Sequence, residues 1–114
     1  MKGESFLRKE HIRKHSEFIE IYENGETVRK NAMKFYFMSS SNDFSRLGIT
    51  VPRKTGNAVI RNRYRRWIRE IFRCNKSYLR NSVDLVVCVF RDQWADFKSF
   101  DKDFLYLFKK IDLI

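Results

Sequence analysis

The arginines between positions 61 and 73 have the most distinctive spacing in this chain. At about 100° per residue, a helix over this segment brings five arginines and one asparagine onto one face. That face carries Arg61, Asn62, Arg65, Arg66, Arg69 and Arg73, while Arg63 lies off to the side with Glu70. Arginine presents a planar fork that binds phosphate through two hydrogen bonds and stacks on nucleobases. The pattern therefore predicts a surface that binds a nucleic-acid backbone.

Most runs of charged residues simply form a solvated helix face. In this chain, the distribution of charge favours a polyanionic partner instead. Like charges four residues apart destabilise an isolated helix by a few tenths of a kcal/mol, and a polyanion would relieve that repulsion. Residues 53–80 contain ten basic residues and one acid, a charge of +9 within a chain of net charge +10. The opposite side of the helix is apolar and predicts burial of Ile60, Tyr64, Trp67, Ile68 and Ile71.

The loop before this helix extends the basic patch. Arg53 and Lys54 precede Gly56, which permits a tight turn. Free backbone amides at the start of a helix hold phosphate groups. This signal is weak alone and gains weight only beside the arginine face.

Other side chains predict neither catalysis nor metal binding in the protein itself. His11 and His15 lie in a basic arm without a paired nucleophile, and the acidic residues are scattered. Cys74 and Cys88 form neither a disulfide framework nor a metal-ligand motif, and Cys88 lies in an apolar run typical of a core. We see no signal peptide and no apolar run of spanning length, so we expect a soluble, cytoplasmic protein without membrane contact.

The remaining pattern predicts an α+β fold in a single domain over residues 1–114. The helix that carries the arginines is expected to start at Asn57 or Ala58 and to end at Arg73. We expect His15 or Ser16 to cap the first helix, Gly25 to end it and Ser99 to cap the last helix. The other predicted segments are an irregular arm over Ser5–Lys14, a helix over Ser16–Asn24 and strands at Thr27–Lys30, Met33–Met38, Leu47–Val51 and Val83–Phe90.

The sheet is expected to have about four strands. Along the chain, the helices and strands are expected to follow one another as α-β-β-β-α-β-α. The first three strands are close in sequence, which favours an antiparallel meander. Pro52 marks a strand end or an edge strand, because it cannot donate a ladder hydrogen bond. The near-continuous apolar run at 83–90 is typical of a central strand buried on both faces.

One stretch of the chain resembles the signature of the bacterial ribonuclease P protein component. It contains Lys54, Gly56, the pair Ala58-Val59, then Arg61-Asn62-Arg63 and the basic pair Arg65-Arg66. The chain length, the element order and a Phe-bearing first helix that ends at Gly25 agree with that family along essentially all 114 residues. Pro52-Arg53 departs from the small polar and Lys residues that are common there.

The resemblance implies a fold, a function and a set of sites. The fold is a mixed sheet with a left-handed βαβ crossover, like the second domain of ribosomal protein S5. The protein joins a catalytic RNA that removes the 5′ leader of precursor tRNA with Mg²⁺ held mainly by the RNA, and it needs no obligate protein partner. The positions that match the RNA-binding motif are Arg53, Lys54, Arg61, Asn62, Arg63, Arg65, Arg66 and Arg69, and those that match the leader-binding cleft are Phe18, Tyr22 and Tyr36.

Alternatives stay open at this stage. Phe18 and Tyr22 are four residues apart on a helix, so ordinary core packing explains their spacing without any ligand. A ribosomal or other structural RNA-binding protein without a role in tRNA processing would also carry such a basic helix. DNA binding in the major groove is less favoured, because the helix offers many phosphate contacts and, beyond Asn62, few base-reading residues.

Overall fold

The computed structural model describes residues 8–113 and contains one four-stranded sheet covered by three α-helices. The predicted α+β class, element order and mixed sheet are confirmed, whereas the single-domain assignment stays a prediction. The helices and strands are α1 (His15–Asn24), β1 (Glu26–Lys30), β2 (Met33–Ser39), β3 (Arg46–Thr50), α2 (Ala58–Asn75), β4 (Val83–Val89) and α3 (Phe97–Leu113).

The order of the strands is β1-β2-β4-β3, so the predicted meander of the first three strands is wrong. β4 lies between β2 and β3, antiparallel to β2 and parallel to β3. Leu85, Val86 and Val87 of β4 are completely buried. Because both faces of this strand are apolar, it is most stable in the middle of the sheet, where both faces are covered. β3 lies at an edge and ends just before Pro52, as predicted. The hand of the β3-α2-β4 crossover stays a prediction.

Side chains alternate between the two faces of the sheet and create two apolar clusters. On one face, Phe35 and Val87 join the main core, to which α2 and α3 contribute. On the other face, Val86 is buried with Ile21 of α1. Polar and aromatic side chains of this second face border α1, and the predicted leader-binding cleft would lie between them and the helix.

The helix ends differ from several predictions. Asn57 caps α2, since its Oδ1 accepts a hydrogen bond of 3.0 Å from the Ile60 amide, and the predicted start is confirmed. α1 begins at His15 without a side-chain cap, so the predicted caps are wrong. α3 begins at Phe97, and Asp96 accepts from the amide of Ser99 at 2.9 Å. Ser99 is thus the third residue of α3 and not its cap.

Gly25 ends α1 as predicted, but its backbone is extended, with φ −81° and ψ 164°, rather than left-handed. The reason for glycine is the space around it. A Cβ atom at this position would lie 2.6 Å from the carbonyl oxygen of Ile21 and 2.8 Å from that of Phe37. The chain therefore needs glycine where α1 comes close to the backbone of β2.

The segment before α1 is attached to the edge of the sheet. Arg8–Glu10 forms a short 3₁₀-helix, and the amide of Ile12 donates to the carbonyl of Leu47 in β3 at 2.9 Å. Ile12 is buried beside α1. The first part of the predicted irregular arm, Ser5–Leu7, lies outside the described residues, and the rest is anchored to the fold.

We expect Gly25→Ala to destabilise the protein by about 1–3 kcal/mol, the range for an added methyl group that forces a shift of its surroundings. Gly48→Ala is the matched control. Its new Cβ would also meet atoms at 2.8 Å, but these are the outer ring carbons of Phe18, which rotate away more easily than backbone. Urea unfolding of both variants measures the difference. An equal loss at both positions would contradict the backbone explanation.

Candidate nucleic-acid interface

Burial of one side of α2 directs its arginines to the opposite side. Tyr64, Ile68 and Phe72 are completely buried against the core. Among the side chains of residues 8–111, the ion pairs leave four arginines of the other side without a carboxylate partner. These four, which we call the arginine face together with Asn62, are Arg61, Arg65, Arg66 and Arg69. The helix over this segment is confirmed, whereas the role of these side chains in binding RNA stays a prediction.

Few hydrogen bonds orient the side chains of the arginine face. The Nε of Arg61 donates to the carbonyl of Gly56 at 3.1 Å, and Arg65 donates to Asn62 Oδ1 at 3.3 Å. A guanidinium has five N–H donors, so most of the donors of both residues remain for an anionic ligand.

Two other arginines of α2 are engaged within the protein. Arg73, which the helical wheel places on the same face, forms an ion pair of 2.6 Å with Glu70. Arg63 donates to Asp92 and to the carbonyl of Trp94, at 3.1 and 3.2 Å. Its guanidinium also lies 4.8 Å from the ring centroid of Trp67. Arg63 therefore ties α2 to the segment before α3, and the predicted RNA contact of this residue stays a prediction.

The loop before α2 is fixed to the sheet by one buried hydroxyl. Thr55 is buried, and its Oγ1 donates to the carbonyl of Val89 in β4 at 2.9 Å. Its neighbours Arg53 and Lys54 are exposed, as a ligand-binding role requires. The anchored loop thus presents both charges beside the start of the arginine face.

Phe18, Tyr22 and Tyr36 come together between α1 and the sheet, as the resemblance implied. The rings of Tyr22 and Tyr36 meet edge to face with centroids 4.8 Å apart, and those of Phe18 and Tyr22 are 6.2 Å apart. Phe18 lies against Gly48, where a Cβ would meet its ring at 2.8 Å. We call these three rings and their surroundings the aromatic cleft. Phe18 also packs on the apolar cluster, so the alternative of core packing holds in part for this residue.

Tyr22 is the most accessible of the three rings, with 36% of its surface exposed. Its hydroxyl forms a hydrogen bond of 2.7 Å with Thr50 Oγ1 at the end of β3. This bond sets the ring across the sheet, and burial raises the pKa of the hydroxyl. The ring remains neutral at physiological pH and offers an edge and a face to a planar ligand.

Two lysines add positive charge to the aromatic cleft. The Nζ of Lys34 lies 4.8 Å from the ring centroid of Tyr36. Burial raises the pKa of the Cys88 thiol, and the charges of Lys34 and Lys54 act on it in the opposite direction. Lys34 lies opposite Cys88 in the pairing of β2 with β4, and Lys54 precedes Thr55, which bonds to the next residue, Val89, so both lysines lie near the same end of β4. Lys34 was missed from the sequence, although it lies two residues before Tyr36 and thus on the same face of β2.

An ion-pair network that the sequence did not reveal holds α1 against the sheet. Arg46 of β3 donates to both carboxylate oxygens of Asp84 in β4, at 3.0 and 2.9 Å, and to Glu17 of α1 at 2.8 Å. Asp84 is buried, so the bidentate contact compensates its charge. The hydrogen bond from Arg46 also lowers the pKa of Glu17. The network positions the helix that carries Phe18 and Tyr22.

In the part of the chain whose side chains are described, residues 8–111, no group of three or more His, Cys, Asp or Glu side chains is arranged to hold a metal ion. None of the helices in that range combines the length and the apolar composition needed to cross a membrane.

An α+β fold with an arginine face and an aromatic cleft beside lysines is typical of small proteins that bind a polyanion, and comparison with known proteins gives the family. The family described as Ribonuclease P matches residues 6–112. The ribonuclease P protein component of Thermotoga maritima is 36% identical over 114 residues, which covers 96% of this chain and 97% of that protein. The chain therefore belongs to the ribonuclease P protein component family, and an RNA is its implied partner.

Solved structures agree with this family. The ribonuclease P protein of Thermotoga maritima superposes with a TM-score of 0.80 at 34% identity, covering 89% of this chain and 96% of that one. The protein of Staphylococcus aureus gives a TM-score of 0.82 at 30% identity, covering 90% and 94%. Both likenesses extend over nearly the whole of each chain.

Proposed function

We propose that this chain is the RNA-binding subunit of a ribonuclease P that removes the 5′ leader from precursor tRNA. The observation that supports the proposal most is the arginine face, whose four guanidinium groups have no carboxylate partner among residues 8–111. In a member of this family, the ligand that neutralises them is the RNA subunit. Phosphate groups satisfy guanidinium donors bidentately, and the released counterions add to the affinity.

The RNA subunit binds the arginine face and the loop before it. Arg53 and Lys54 are exposed at the start of α2 and extend the same positive surface. Because Thr55 anchors the loop to β4, the backbone that carries these charges is already in place before the RNA binds. Arg63 supports this surface from behind through Asp92 and Trp94.

The aromatic cleft binds the single-stranded leader. Single-stranded RNA is held by bases that stack on aromatic rings beside basic side chains. Tyr22 offers the accessible ring, Tyr36 supports it, and Lys34 and Lys54 supply charge for the leader phosphates. The Arg46 network supports the proposal further, because it fixes the distance between α1 and the sheet.

The chemistry of cleavage belongs to the RNA in this proposal, and the protein contributes binding and orientation. Mg²⁺, held mainly by the RNA subunit, would supply the activated water and the charge stabilisation that phosphodiester hydrolysis requires. The protein side chains lower the repulsion between the RNA subunit and the leader by placing cations between them. They therefore matter most when Mg²⁺ is scarce.

Reconstitution tests the proposed function. We expect the protein, combined with a bacterial ribonuclease P RNA at low Mg²⁺, to stimulate cleavage of precursor tRNA over the RNA alone, because its cations substitute for part of the metal-ion screening. Cleavage is measured on a 5′-labelled precursor at several Mg²⁺ concentrations. Tight binding of the RNA without any stimulation would instead support a structural RNA-binding protein.

Arg65→Ala tests the arginine face. We expect weaker binding to the RNA subunit and a salt dependence of the affinity that is smaller by about one phosphate contact. Arg73→Ala is the matched control on the same helix, because Glu70 already neutralises Arg73 and its loss changes the salt dependence little. Filter binding between 50 and 200 mM salt gives both slopes. Equal slopes for wild type and Arg65→Ala would remove this residue from the interface.

Tyr22→Leu tests the aromatic cleft. If a leader base stacks on this ring, its loss weakens binding of precursor tRNA to the holoenzyme by about 1–3 kcal/mol and leaves the affinity for leaderless tRNA unchanged. Tyr22→Phe is the control, since it removes only the hydroxyl that bonds to Thr50. Equal losses with and without the leader would show that the ring has only a structural role.

A further inference from the structure

The arm over residues 8–14 exposes positive charge beside the arginine face. Its only acid, Glu10, is buried and bonds to Lys76 Nζ at 2.7 and 2.8 Å. Four basic residues of the arm remain exposed, and none of them forms an ion pair within the described part of the chain: Arg8, Lys9, Arg13 and Lys14. The arm thus directs its positive side chains outward and its negative side chain inward.

Three contacts fix the position of the arm. His11 forms a parallel β-bridge with Leu47, and the amide of Ile12 donates to the same residue at 2.9 Å. The third contact is the Glu10–Lys76 pair, in which both side chains are only 8% exposed. Lys76 follows directly after α2, so this pair attaches the arm to the carboxyl end of the helix that carries the arginines.

His11 marks the place where the arm and α2 meet. Burial lowers the pKa of His11 most, the charges of Arg13 and Arg69 lower it further, and Glu10 opposes them. The charge of a residue from the arm and that of a residue from α2 therefore reach the same imidazole. Both arginines lack a carboxylate partner in the stretch from residue 8 to residue 111, so their positive potentials add at this point.

We propose that the arm is a second RNA-binding element, and that Arg13 and Arg69 hold one phosphate of the RNA subunit together beside His11. The inference rests on the proposed function, because it assigns a further surface to the same RNA. The RNA subunit is the expected occupant rather than the leader, since the shared position lies on the arginine face. The phosphate offsets the repulsion between the two guanidinium groups that the free protein leaves uncompensated.

Charge removal tests the arm with the holoenzyme RNA. Arg13→Gln is expected to reduce the salt dependence of binding, so that the affinity loss between 50 and 200 mM salt becomes about threefold smaller, the value for one phosphate contact. Lys102→Gln is the control: an exposed lysine of α3 that should leave the affinity unchanged. If Arg13→Gln and Lys102→Gln give the same affinity and salt slope, the arm does not bind RNA.

A double-mutant cycle tests the shared phosphate. The loss of affinity in Arg13→Gln combined with Arg69→Gln should be smaller than the product of the two single losses, because the first substitution already weakens the common contact. A double loss equal to that product would overturn the shared phosphate. Urea unfolding of each variant establishes that the exposed substitutions leave the fold intact.

The imidazole provides an independent readout. A phosphate bound near Arg13 and Arg69 offsets their charges and raises the pKa of His11, so binding takes up a proton. Affinity should therefore be higher at pH 6 and fall as the pH rises toward 8. His11→Gln should remove this dependence, whereas His15→Gln, at the exposed start of α1, should keep it. A dependence unchanged in His11→Gln would overturn a phosphate at this position.

The controls separate this inference from the proposed function. Failure of the wild-type protein to bind ribonuclease P RNA would contradict both the proposed function and the role of the arm. If the wild type binds the RNA and stimulates cleavage while Arg13→Gln behaves like Lys102→Gln, only the proposed role of the arm is contradicted.

Discussion

The burial of one side of α2 determines how the rest of the molecule is arranged. Tyr64, Ile68 and Phe72 have no exposed surface, so the helix has only one rotation about its axis that satisfies the core. That rotation turns Arg61, Arg65, Arg66 and Arg69 to solvent in a single direction. The same burial places Lys76 under the arm and Asn57 beside the loop, so both flanking basic segments are arranged around one helix.

The chain neutralises positive charge where its structure requires it and leaves it uncompensated on the arginine face. Arg46 forms ion pairs with Glu17 and Asp84, and Arg63 forms one with Asp92. The ion pair of Lys76 with Glu10 is almost completely buried. These pairs connect distant elements and hold the scaffold. The contrast with Arg65 and Arg69 is informative, because a chain that pairs four basic residues internally, Arg73 on the same helix among them, leaves a neighbouring row of arginines for an external anion.

The sequence predicts best what depends on local periodicity. The start of α2 at Asn57 and its two faces follow from the 3.6-residue repeat, which needs no distant partner. Strand order depends on which segments meet in space, and the insertion of β4 between β2 and β3 is not visible in neighbouring residues. Arg46 was missed for the same reason, since its partner Asp84 lies 38 positions away. Asp96 and Ser99 are both good caps, so local chemistry alone did not choose between them.

The two candidate RNA surfaces are close to each other, because the loop of Arg53–Thr55 begins three residues after Thr50, whose hydroxyl forms a hydrogen bond with Tyr22 of the aromatic cleft. Thr55 fixes this loop to the last residue of β4, and the charge of Lys54 reaches Cys88 on the face of the sheet that carries the aromatic cleft. Arg53 and Lys54 also lie directly before the arginine face. In the proposed function, an RNA subunit on α2 and a leader in the cleft therefore approach each other at a rigid, cationic junction. A protein of this design assists cleavage by fixing the relative position of two polyanions, a task that requires no catalytic side chain.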